Sequence, residues 1–554
     1  MRLHELFCTI LALLLFGGGG RTQTGIRPAA LSQLGSQGSA RRLIVNGKPM
    51  LILGGELGNS SASSLSYMRP LWPKFRAMHL NSLLIPVYWD LMEPEEGRFD
   101  YGLVDSLLGN CRRNGLHAIL LWFGSWKNSM SCYVPGWIKT NSSRWPRAQD
   151  RHGKSLEILS AFSRSNLDAD SKAFSSLMRH LKQSDGSGTV IMVQVENEIG
   201  MLTEARERTA AADSAFEGEV PQELMNYLIE RKDSLVPELR EHWSTTGFAV
   251  KGNWETVFGK SLSTDELFQA WYYAKYANAV AVAGKKEYPL PMCVNAALNY
   301  RNAEPGQYPS AGPLPHLMDI WQAGAPAIDL LSPDFYNPAF KQYCDLYTRR
   351  GNSLLIPEIR LEPSDAAKVF YAVGHYQALG FSPFSIESVQ DPASDPIGKS
   401  YALLASMAAE ILKYQGTGRM EGVLLDSSGS KQDIVLGQYV LSVAHDYTLG
   451  WSPEAGKPHW PTAGALIIRE GADEFLIAGT GVVITFAVNG STGTQEGERR
   501  GTHAGILQAE EGQFIGGTWQ AGRRMNGDQD HQGRHIRIPV GEWSIQRVRL
   551  YQYK

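Results

Sequence analysis

The chain has 554 residues and a formal net charge of −3, and 43% of its residues are hydrophobic, 20% charged and 10% aromatic. These fractions are typical of a folded globular protein and exclude a disordered or collagen-like chain. The nearly balanced charge gives no electrostatic reason to expect nucleic acid or an anionic membrane surface as a partner. A chain of this length is expected to contain about two to four domains.

The N-terminus has the layout of a secretory signal peptide. Arg2 and His4 precede an apolar run over 6–16, and a cluster of glycines follows. The run is too short for a good bilayer-spanning helix, and no later stretch is long and apolar enough for one. We therefore predict a signal peptide at 1–24, a polar linker at 25–40 and export to the periplasm or the extracellular space. A buried N-terminal helix is the alternative interpretation.

Four cysteines follow the predicted signal peptide, at Cys111, Cys132, Cys293 and Cys344. They are too few for a disulfide scaffold in a chain of this size. None of them lies in a C-x-x-C pair, so the sequence predicts neither a zinc site nor a redox motif. The number is compatible with one or two disulfides and equally with buried free thiols.

Short apolar runs alternate with amphipathic stretches between residues 41 and 414. The apolar runs predict eight strands, at 50–54, 82–88, 117–122, 190–195, 292–295, 328–332, 354–357 and 381–386. Helical patterns lie between them, at 104–114, 170–183, 224–230, 265–283 and 363–379. Strands interleaved with helices indicate a parallel sheet, and at this number of strands the sheet is expected to close into a (β/α)8 TIM barrel.

The helical periodicity fades after residue 414. Runs at 474–488 and 542–553 are β-branched or alternating, and glycine-rich turns separate them. This pattern predicts a C-terminal antiparallel β-sandwich over 415–554. The region contains no cysteine and no tight cluster of carboxylates, so we expect the catalytic residues in the barrel.

The segment VIMVQVENEIG at 190–200 carries the strongest chemical signal. An apolar strand runs directly into Glu196, Asn197 and Glu198. In a βα barrel, catalytic side chains lie at the carboxyl ends of the strands. Alternation along a strand would put both glutamates on one face, but strand ends usually bend, so the pattern does not choose between them. A solvated loop with two acidic residues is the alternative.

A second apolar strand also ends in an acid, in NSLLIPEIR at 352–360. Glu358 by itself would be explained by an ion pair with Arg360. Together with the acids after 190–195, it meets the requirement of glycoside hydrolysis for two carboxyl groups that flank one bond. One group must hold a proton while the other is ionised, so their surroundings must separate their pKa values.

These segments resemble glycoside hydrolase family 35, the β-galactosidases, over roughly residues 43 to 400. The segment VQVENEIG is similar to the Q-[VI]-E-N-E-Y-G motif of that family. The segment LNSLLIPVYWDLMEPEEGRFDY at 80–101 is similar to its second-strand signature, GLHAILLWFGSW at 115–126 to its third strand, and VPGWI at 134–138 to its P-x-W segment. The resemblance implies a retaining enzyme on a (β/α)8 barrel, in a bacterial subgroup with a C-terminal β domain.

The resemblance also implies roles for individual residues. Glu198 matches the general acid/base and Glu358 the nucleophile. Asn197 matches the residue that binds the 2-hydroxyl group of the sugar, and Tyr336 in SPDFY matches the tyrosine that contacts the nucleophile. Tyr88 and Glu56, at the ends of the second and first strands, resemble sugar-hydroxyl contacts. A turn cap is the alternative for Glu56, and a core residue is the alternative for Tyr336. Candidates for stacking on a sugar face are Trp89, Trp122, Trp126 and Trp137, with an ordinary core position for two or more of them as an equal alternative.

Three positions depart from the family pattern. Ile199 follows E-N-E where tyrosine is usual, no aromatic residue follows Glu358 directly, and Trp89 is followed by Asp90 instead of asparagine. These differences leave both catalytic acids in place. They weaken the transfer of sugar preference, because neighbouring residues shape the sugar subsite.

The sequence predicts no cofactor and no metal site, since it contains neither H-E-x-x-H nor a Cys/His cluster with ligand spacing. Asn166, Asp168 and Asp170 have the spacing of a calcium loop but lack its glycine and final glutamate, so helix capping is favoured. The expected partner is a carbohydrate substrate, namely terminal β-D-galactose on oligosaccharides or plant cell-wall polysaccharides such as xyloglucan. The oligomeric state stays open.

Three alternatives compete with the β-galactosidase interpretation. A related barrel could cleave β-mannosides, β-glucosides or α-arabinofuranosides, since such barrels share the acid pair. A non-catalytic carbohydrate-binding barrel is expected to have lost one of the two acids, and both are present here. A serine hydrolase lacks support because the chain has no G-x-S-x-G elbow.

Overall fold

The computed structural model describes residues 30–299, 302–490 and 502–554. The predicted signal peptide lies outside the described residues. The chain enters through a three-stranded antiparallel sheet of β1 (Gln33–Gln37), β2 (Ala40–Val45) and β3 (Lys48–Met50). The linker prediction is wrong at β1, because Gly38, with a φ of 55°, turns this polar segment back so that its backbone pairs with β2.

Eight parallel strands close into a barrel, which confirms the predicted TIM barrel. The strands of this region are β4 (Ile52–Glu56), β5 (Ser82–Tyr88), β6 (His117–Phe123), β7 (Arg147–Gln149), β8 (Ser155–Leu159), β9 (Val190–Gln194), β10 (Met292–Ala297), β11 (Leu330–Phe335), β12 (Leu355–Ile359) and β13 (Gly380–Pro383). Strands β7 and β8 form a separate antiparallel hairpin, and the other eight follow the order β10-β11-β12-β13-β4-β5-β6-β9 around the barrel. All eight predicted barrel strands are present, with ends shifted by a few residues.

Helices pack around the barrel and cover its outer face. In chain order they are α1 (Leu65–Met68), α2 (Trp72–Ala77), α3 (Trp89–Met92), α4 (Gly102–Arg113), α5 (Gly136–Lys139), α6 (Arg164–Ser184), α7 (Ala210–Glu217), α8 (Gln222–Glu230), α9 (Pro237–Ser244), α10 (Trp254–Phe258), α11 (Leu262–Glu287), α12 (Met318–Gly324), α13 (Phe340–Tyr347), α14 (Asp365–Gly374), α15 (Pro396–Ser406) and α16 (Ala408–Tyr414). Every residue of β5, β9, β11 and β12 is buried, as expected for parallel strands with both faces covered.

The calcium-like motif lies inside a helix. Asn166, Asp168 and Asp170 belong to the first turns of α6, and Ser163 caps that helix by accepting a hydrogen bond from the backbone N–H of Asn166. The capping role predicted for the motif therefore belongs to Ser163. Asp170 is fully buried, where it accepts a hydrogen bond of 2.8 Å from the indole N–H of Trp122.

The C-terminal region contains two antiparallel sheets, as predicted. Its strands are β14 (Met420–Leu425), β15 (Lys431–Leu436), β16 (Tyr439–His445), β17 (Ala463–Arg469), β18 (Glu474–Thr480), β19 (Val482–Val488), β20 (His503–Ile515), β21 (Thr518–Arg524), β22 (Ile536–Ile538) and β23 (Ser544–Tyr553). One sheet has the order β14-β17-β18-β23-β20-β21 and the other β15-β16-β19-β22. Their inner faces share an apolar core that includes Val423, Leu441 and Ile477.

The C-terminal sheets pack closely on the barrel. A Cβ atom added to Gly374 in α14 would lie 2.6 Å from the Cα of Gly422 in β14, so only glycine allows this approach of helix and strand. Polar contacts join the same two parts: the Lys341 ammonium donates to the carbonyl of Leu424 at 2.8 Å, and the indole of Trp543 donates to Ser400 at 2.9 Å. The position of the C-terminal domain against the barrel is therefore specified by direct contacts.

The four described cysteines are free thiols, with Cys132 exposed and the other three buried. Burial raises the pKa of the Cys111 thiol to about 12, which keeps it protonated at neutral pH. Among the described residues, no helix combines the length and the hydrophobicity needed to cross a bilayer.

Candidate active site

Three buried carboxyl groups meet at the carboxyl end of the barrel. Glu198 follows β9, Asp334 lies near the end of β11, and Glu358 lies near the end of β12. One carboxylate oxygen of each lies within 4.8 Å of the others. Asp334 and Glu358 pair in register across the two parallel strands, so their side chains point to the same side of the sheet. The structure thus brings the two predicted catalytic acids together and adds a third.

A bend in the chain after β9 separates the roles of the two glutamates. Glu196 and Glu198 have φ angles of 60° and 47°, in the left-handed region that non-glycine residues rarely adopt. Hydrogen bonds to the loop after β6 hold this conformation: the backbone N–H of Asn197 donates to Trp126, and that of Ser129 donates to Glu198. The extended alternation assumed from the sequence ends before these residues.

Glu196 faces away from the cluster of three acids. Its carboxylate accepts a hydrogen bond of 2.8 Å from the backbone N–H of Trp126. Complete burial, together with the charge of Asp170, raises the pKa of Glu196 well above its usual range. The bend therefore turns Glu198 toward Glu358 and leaves Glu196 in the interior, where it supports the loop after β6.

Glu198 is held by two asparagines. The side-chain amide of Asn128 donates to its carboxylate, and its backbone N–H donates to the Asn295 side chain at 2.9 Å. The amide of Asn295 in turn donates to Asp334 at 2.6 Å, which links the two acids. Burial and the charge of Glu358 raise the pKa of Glu198 to about 7, although the nearby Lys127 ammonium opposes the shift. Glu198 can therefore hold a proton near neutral pH and release it.

Glu358 is held by the tyrosine that follows the neighbouring strand. The Tyr336 hydroxyl donates a hydrogen bond to the Glu358 carboxylate. Burial and the charge of Glu358 raise the pKa of that hydroxyl, so it stays a donor. Tyr336 itself is 41% exposed, and the Arg360 guanidinium lies 5.5 Å from the centre of its ring. The contact predicted from the family resemblance is thus present in the structure.

The site holds more acids than its one buried ammonium can neutralise. Glu56, 1% exposed at the end of β4, lies beside Glu358, and its pKa is raised well above the usual range by burial and by that neighbour. The pKa of Asp334 is raised for the same reasons. Two like charges 4.8 Å apart, the limit found for the cluster, repel by about 3–4 kcal/mol at an effective dielectric constant near 20. The site is therefore stable only with some of these carboxyl groups protonated.

Several polar atoms around Glu358 are buried without a hydrogen-bond partner among the described residues. They include Glu56 Oε1, Asn197 Nδ2, Asp334 Oδ1 and Glu358 Oε2. The other amide atom of Asn197, its Oδ1, accepts from the Lys127 ammonium at 2.8 Å, which fixes the Nδ2 orientation. An unpaired buried polar group costs about 1–3 kcal/mol, so these atoms favour a ligand that presents many hydroxyl groups.

Two predicted substrate contacts lie elsewhere. Trp126 has no exposed surface and packs edge-on against Tyr273 and Tyr276, so it belongs to the core and its predicted sugar contact is corrected. Tyr88 is also buried, and its ring packs against Phe123 and Tyr133. Burial raises the pKa of Tyr88, and the groups that act on it are Tyr133, the 62–63 turn and Glu387, none of which is one of the three clustered acids.

Sequence reasoning missed the residues that adjust the acid pair. Asp334 stands two positions before Tyr336 in SPDFY, and Lys127 directly follows Trp126 after the third barrel strand. Their place at a strand end was a usable signal, because polar side chains at that end of a barrel strand point to the site. Asn128 and Asn295 gave weaker signals, since asparagine is common in loops without any role in a site.

Comparisons with known proteins agree with this geometry. Residues 42–260 match the model of glycosyl hydrolases family 35, a region that includes Glu198 and ends before Glu358. This match lies within the barrel and covers less than half of the chain, so the barrel is similar to family 35 over that part. Residues 397–537 match a domain of unknown function, DUF5597, which covers α15, α16 and most of the C-terminal sheets.

Individual relatives match this chain over a smaller part of its length or at a lower sequence identity. A β-galactosidase of Xanthomonas manihotis is 28% identical over 180 residues, which are 31% of this chain and 27% of that protein. The β-galactosidase structure from Rahnella sp. R3 is 14% identical, with a TM-score of 0.45 over 65% of this chain and 56% of its own. The catalytic domain of a β-amylase from Paenibacillus polymyxa is 12% identical, with a TM-score of 0.44 over 64% and 98%. The chain thus spans little more than a quarter of the length of the Xanthomonas manihotis relative.

Proposed function

We propose that the protein is a retaining, exo-acting glycoside hydrolase that releases terminal β-D-galactose from oligosaccharides or plant cell-wall polysaccharides such as galactosylated xyloglucan. The observation that carries this proposal is the pair Glu198 and Glu358, with carboxylate oxygens within 4.8 Å at the mouth of a barrel that is similar to family 35. Retaining glycosidases place their carboxyl groups about 5–5.5 Å apart, whereas inverting enzymes need about 6.5–9.5 Å to admit a water molecule.

In the first step, Glu358 attacks the anomeric carbon while Glu198 protonates the leaving oxygen. The bond from the anomeric carbon to the leaving oxygen breaks, and a covalent galactosyl ester of Glu358 forms. Glu198 suits the role of acid because burial and Glu358 raise its pKa to about 7. The Tyr336 hydroxyl orients Glu358 through its hydrogen bond to that carboxylate.

In the second step, Glu198 is ionised and takes a proton from water. The water oxygen attacks the anomeric carbon, the ester bond to Glu358 breaks, and galactose leaves with its original β configuration. We assign to Asn197 Nδ2 the binding of a sugar hydroxyl beside the nucleophile, because Lys127 holds the other amide atom and Nδ2 is a buried donor without a described partner. Glu56 presents a second polar group to the same space.

The second candidate keeps the mechanism and changes the sugar to β-mannose, β-glucose or α-arabinofuranose. The departures at Ile199 and Asp90 from the family pattern are the reason to test it. A non-catalytic carbohydrate-binding barrel is disfavoured because both acids are present and lie together at the barrel mouth.

A panel of nitrophenyl glycosides tests the proposal. The β-galactoside is expected to be hydrolysed fastest, and proton NMR of the first-formed product should show β-galactose before mutarotation. Faster cleavage of a different glycoside would show that the enzyme prefers the sugar of that glycoside to galactose. Initial α-galactose would contradict the retaining mechanism.

We also propose that the protein acts outside the cytoplasm. The support is the signal-peptide pattern at 1–24 and the large size of cell-wall substrates, which do not cross a membrane. Fractionation of the producing cell, with N-terminal sequencing of the mature chain, tests this. Recovery of the uncleaved chain in the cytoplasm would contradict it.

A further inference from the structure

A polar groove lies between the barrel and the C-terminal domain. Its volume is about 790 Å³, within the range of about 300–1,000 Å³ that is usual for ligand sites. The barrel wall includes Tyr336, Asn337 and Arg360, which follow β11 and β12. The opposite wall comes from two loops of the C-terminal domain, through Ser428 and Thr462.

The groove begins beside the nucleophile. Tyr336 lines it with a half-exposed side chain, while the hydroxyl of the same residue donates to Glu358. Ile359, the residue after Glu358, also lines it. Because strands β11 and β12 end here, the groove lies at the same end of the barrel as the three acids.

The chemistry of the walls fits a chain of pyranose rings. The Tyr336 ring offers a flat apolar surface, and the Arg360 guanidinium beside it takes part in no hydrogen bond or ion pair with another described residue. Asn337 uses only its side-chain oxygen, which accepts from the backbone of Ala339, so its amide N–H groups face no described acceptor. Sugars present apolar C–H faces and hydroxyl edges, which match an aromatic surface flanked by free donors.

The groove is already formed, so no closing motion is needed to build it. Lys341 joins α13 to the backbone of β14 at 2.8 Å directly at the groove, and the Gly374–Gly422 approach fixes α14 against the same strand. A preformed site loses less conformational entropy on binding than one that must be ordered first.

We propose that this groove binds the sugar residues on the leaving side of the scissile bond, so that the C-terminal domain forms part of the substrate site. The inference rests on the proposed glycosidase function and deepens it. In this arrangement the terminal galactose lies between Glu198 and Glu358, and the remainder of the glycan extends past Tyr336 onto Ser428 and Thr462. The DUF5597 region thereby acquires a role, which is selection of longer glycans over small glycosides.

Two substitutions of neighbouring serines test the inference. Ser428 lines the groove, whereas Ser427, on the same exposed loop, is absent from its walls. Ser428→Trp should fill the groove, and Ser427→Trp adds the same bulk outside it. The substrates are nitrophenyl β-galactoside, which has no sugar on its leaving side, and whichever of galactosylated xyloglucan oligosaccharide and β-1,4-galactotetraose the wild type cleaves faster.

Ser428→Trp should lower kcat/KM for the oligosaccharide by about tenfold or more, mostly through KM, and change kcat/KM for the nitrophenyl substrate by less than about twofold. Ser427→Trp should change neither value. Thr462→Trp, on the second loop, should reproduce the effect of Ser428→Trp. Equal losses on both substrates, no loss on the oligosaccharide, or the same loss from Ser427→Trp would overturn the inference while leaving the glycosidase proposal intact. If the wild type cleaves no nitrophenyl glycoside, the proposed function fails first, and the inference fails with it.

Discussion

A carboxylate oxygen of Glu198 lies within 4.8 Å of one of Glu358, although the two residues belong to β-strand ends on different parts of the barrel wall. The positive φ of Glu198 produces this contact by turning its side chain away from the direction that an extended strand would give. Asn128 and Asn295 hold Glu198 on one side, and Tyr336 holds Glu358 on the other. The pair has the spacing needed for attack and protonation at one glycosidic bond.

Replacement of the nucleophile should abolish turnover and allow an external anion to take its place. Glu358→Ala is expected to lower kcat on nitrophenyl β-galactoside by at least about 10³-fold, because no covalent intermediate can form. Azide can then enter the space left by the side chain and attack from the same face, which gives α-galactosyl azide. Rates with and without azide, and NMR of the product, check this.

Glu198→Ala is the matched control for that experiment. Glu358 still forms the ester in this variant, so azide attacks the intermediate and should give β-galactosyl azide. The same azide anomer from both variants, or full activity in Glu358→Ala, would contradict the assigned roles.

The pH profile should show the proton on Glu198. A general acid works only when it is protonated, and burial together with Glu358 raises the pKa of Glu198 to about 7. The alkaline limb of kcat/KM should therefore fall through about pH 7, with activity retained below it until the nucleophile becomes protonated. Initial rates on nitrophenyl β-galactoside measure this limb. They are taken from about pH 4 to about pH 9, which extends about two pH units or more on each side of the expected pKa. An alkaline limb that stays flat up to pH 9 would contradict the assignment of Glu198 as the acid.

Asp334 is expected to act as a neutral hydrogen-bond donor toward Glu198. Its pKa is raised by burial and the neighbouring acids, and Asp334 in turn lowers the pKa of Glu198. An asparagine keeps the acceptor for Asn295 and supplies an N–H donor, so Asp334→Asn should retain activity within about tenfold near neutral pH. Asp334→Ala removes both the acceptor for Asn295 and the expected donor to Glu198, and its alkaline limb should move to higher pH.

Kinetic pH profiles of the two Asp334 variants provide the check. Equal losses in both variants, with no difference in their alkaline limbs, would show that the charge of Asp334 matters rather than its hydrogen bonding.

Glu198 should also make the folded state less stable at alkaline pH. Its folded pKa is raised from the ordinary value of 4.5 to about 7, so between these values the folded state binds more protons than the unfolded state and stability falls as pH rises. A shift of this size corresponds to about 3 kcal/mol at pH 8. Glu198→Gln removes the charge, so it should raise the melting temperature clearly at pH 8 and only slightly at pH 5. An equal rise at both pH values would point to packing rather than to charge.

Much of the barrel could be predicted from sequence, because its buried parallel strands are continuous apolar runs. All eight runs appear as barrel strands, and the run at 190–195 leads into the acids as expected. The C-terminal run at 474–488 gave no sign that it forms two strands. Gly481, with a φ of 72°, separates it into β18 and β19, which belong to different sheets. Such a crossing depends on packing between sheets, which the local pattern does not record.

The two acids of the site could be predicted from the sequence, but the residues that surround them could not. Periodicity could not choose between Glu196 and Glu198, because the choice depends on a bend stabilised by the loop after β6. Asp334 reaches the site through its register with Glu358 across two strands, which is a long-range relationship. Trp126 was misplaced because an aromatic residue after a barrel strand is equally compatible with the core and with a sugar platform.

The double-displacement mechanism depends most on Glu358 as the residue that bonds to the sugar. A 2-deoxy-2-fluoro-β-galactoside with a good leaving group tests this, since the fluorine slows hydrolysis of the ester and lets it accumulate. Peptide mass spectrometry of the inactivated enzyme should locate one fluorogalactosyl group on Glu358, with none on the Glu358→Gln variant. A label on Glu56, Glu198 or Asp334 would contradict the assignment, as would an enzyme that turns over β-galactosides but never forms an adduct.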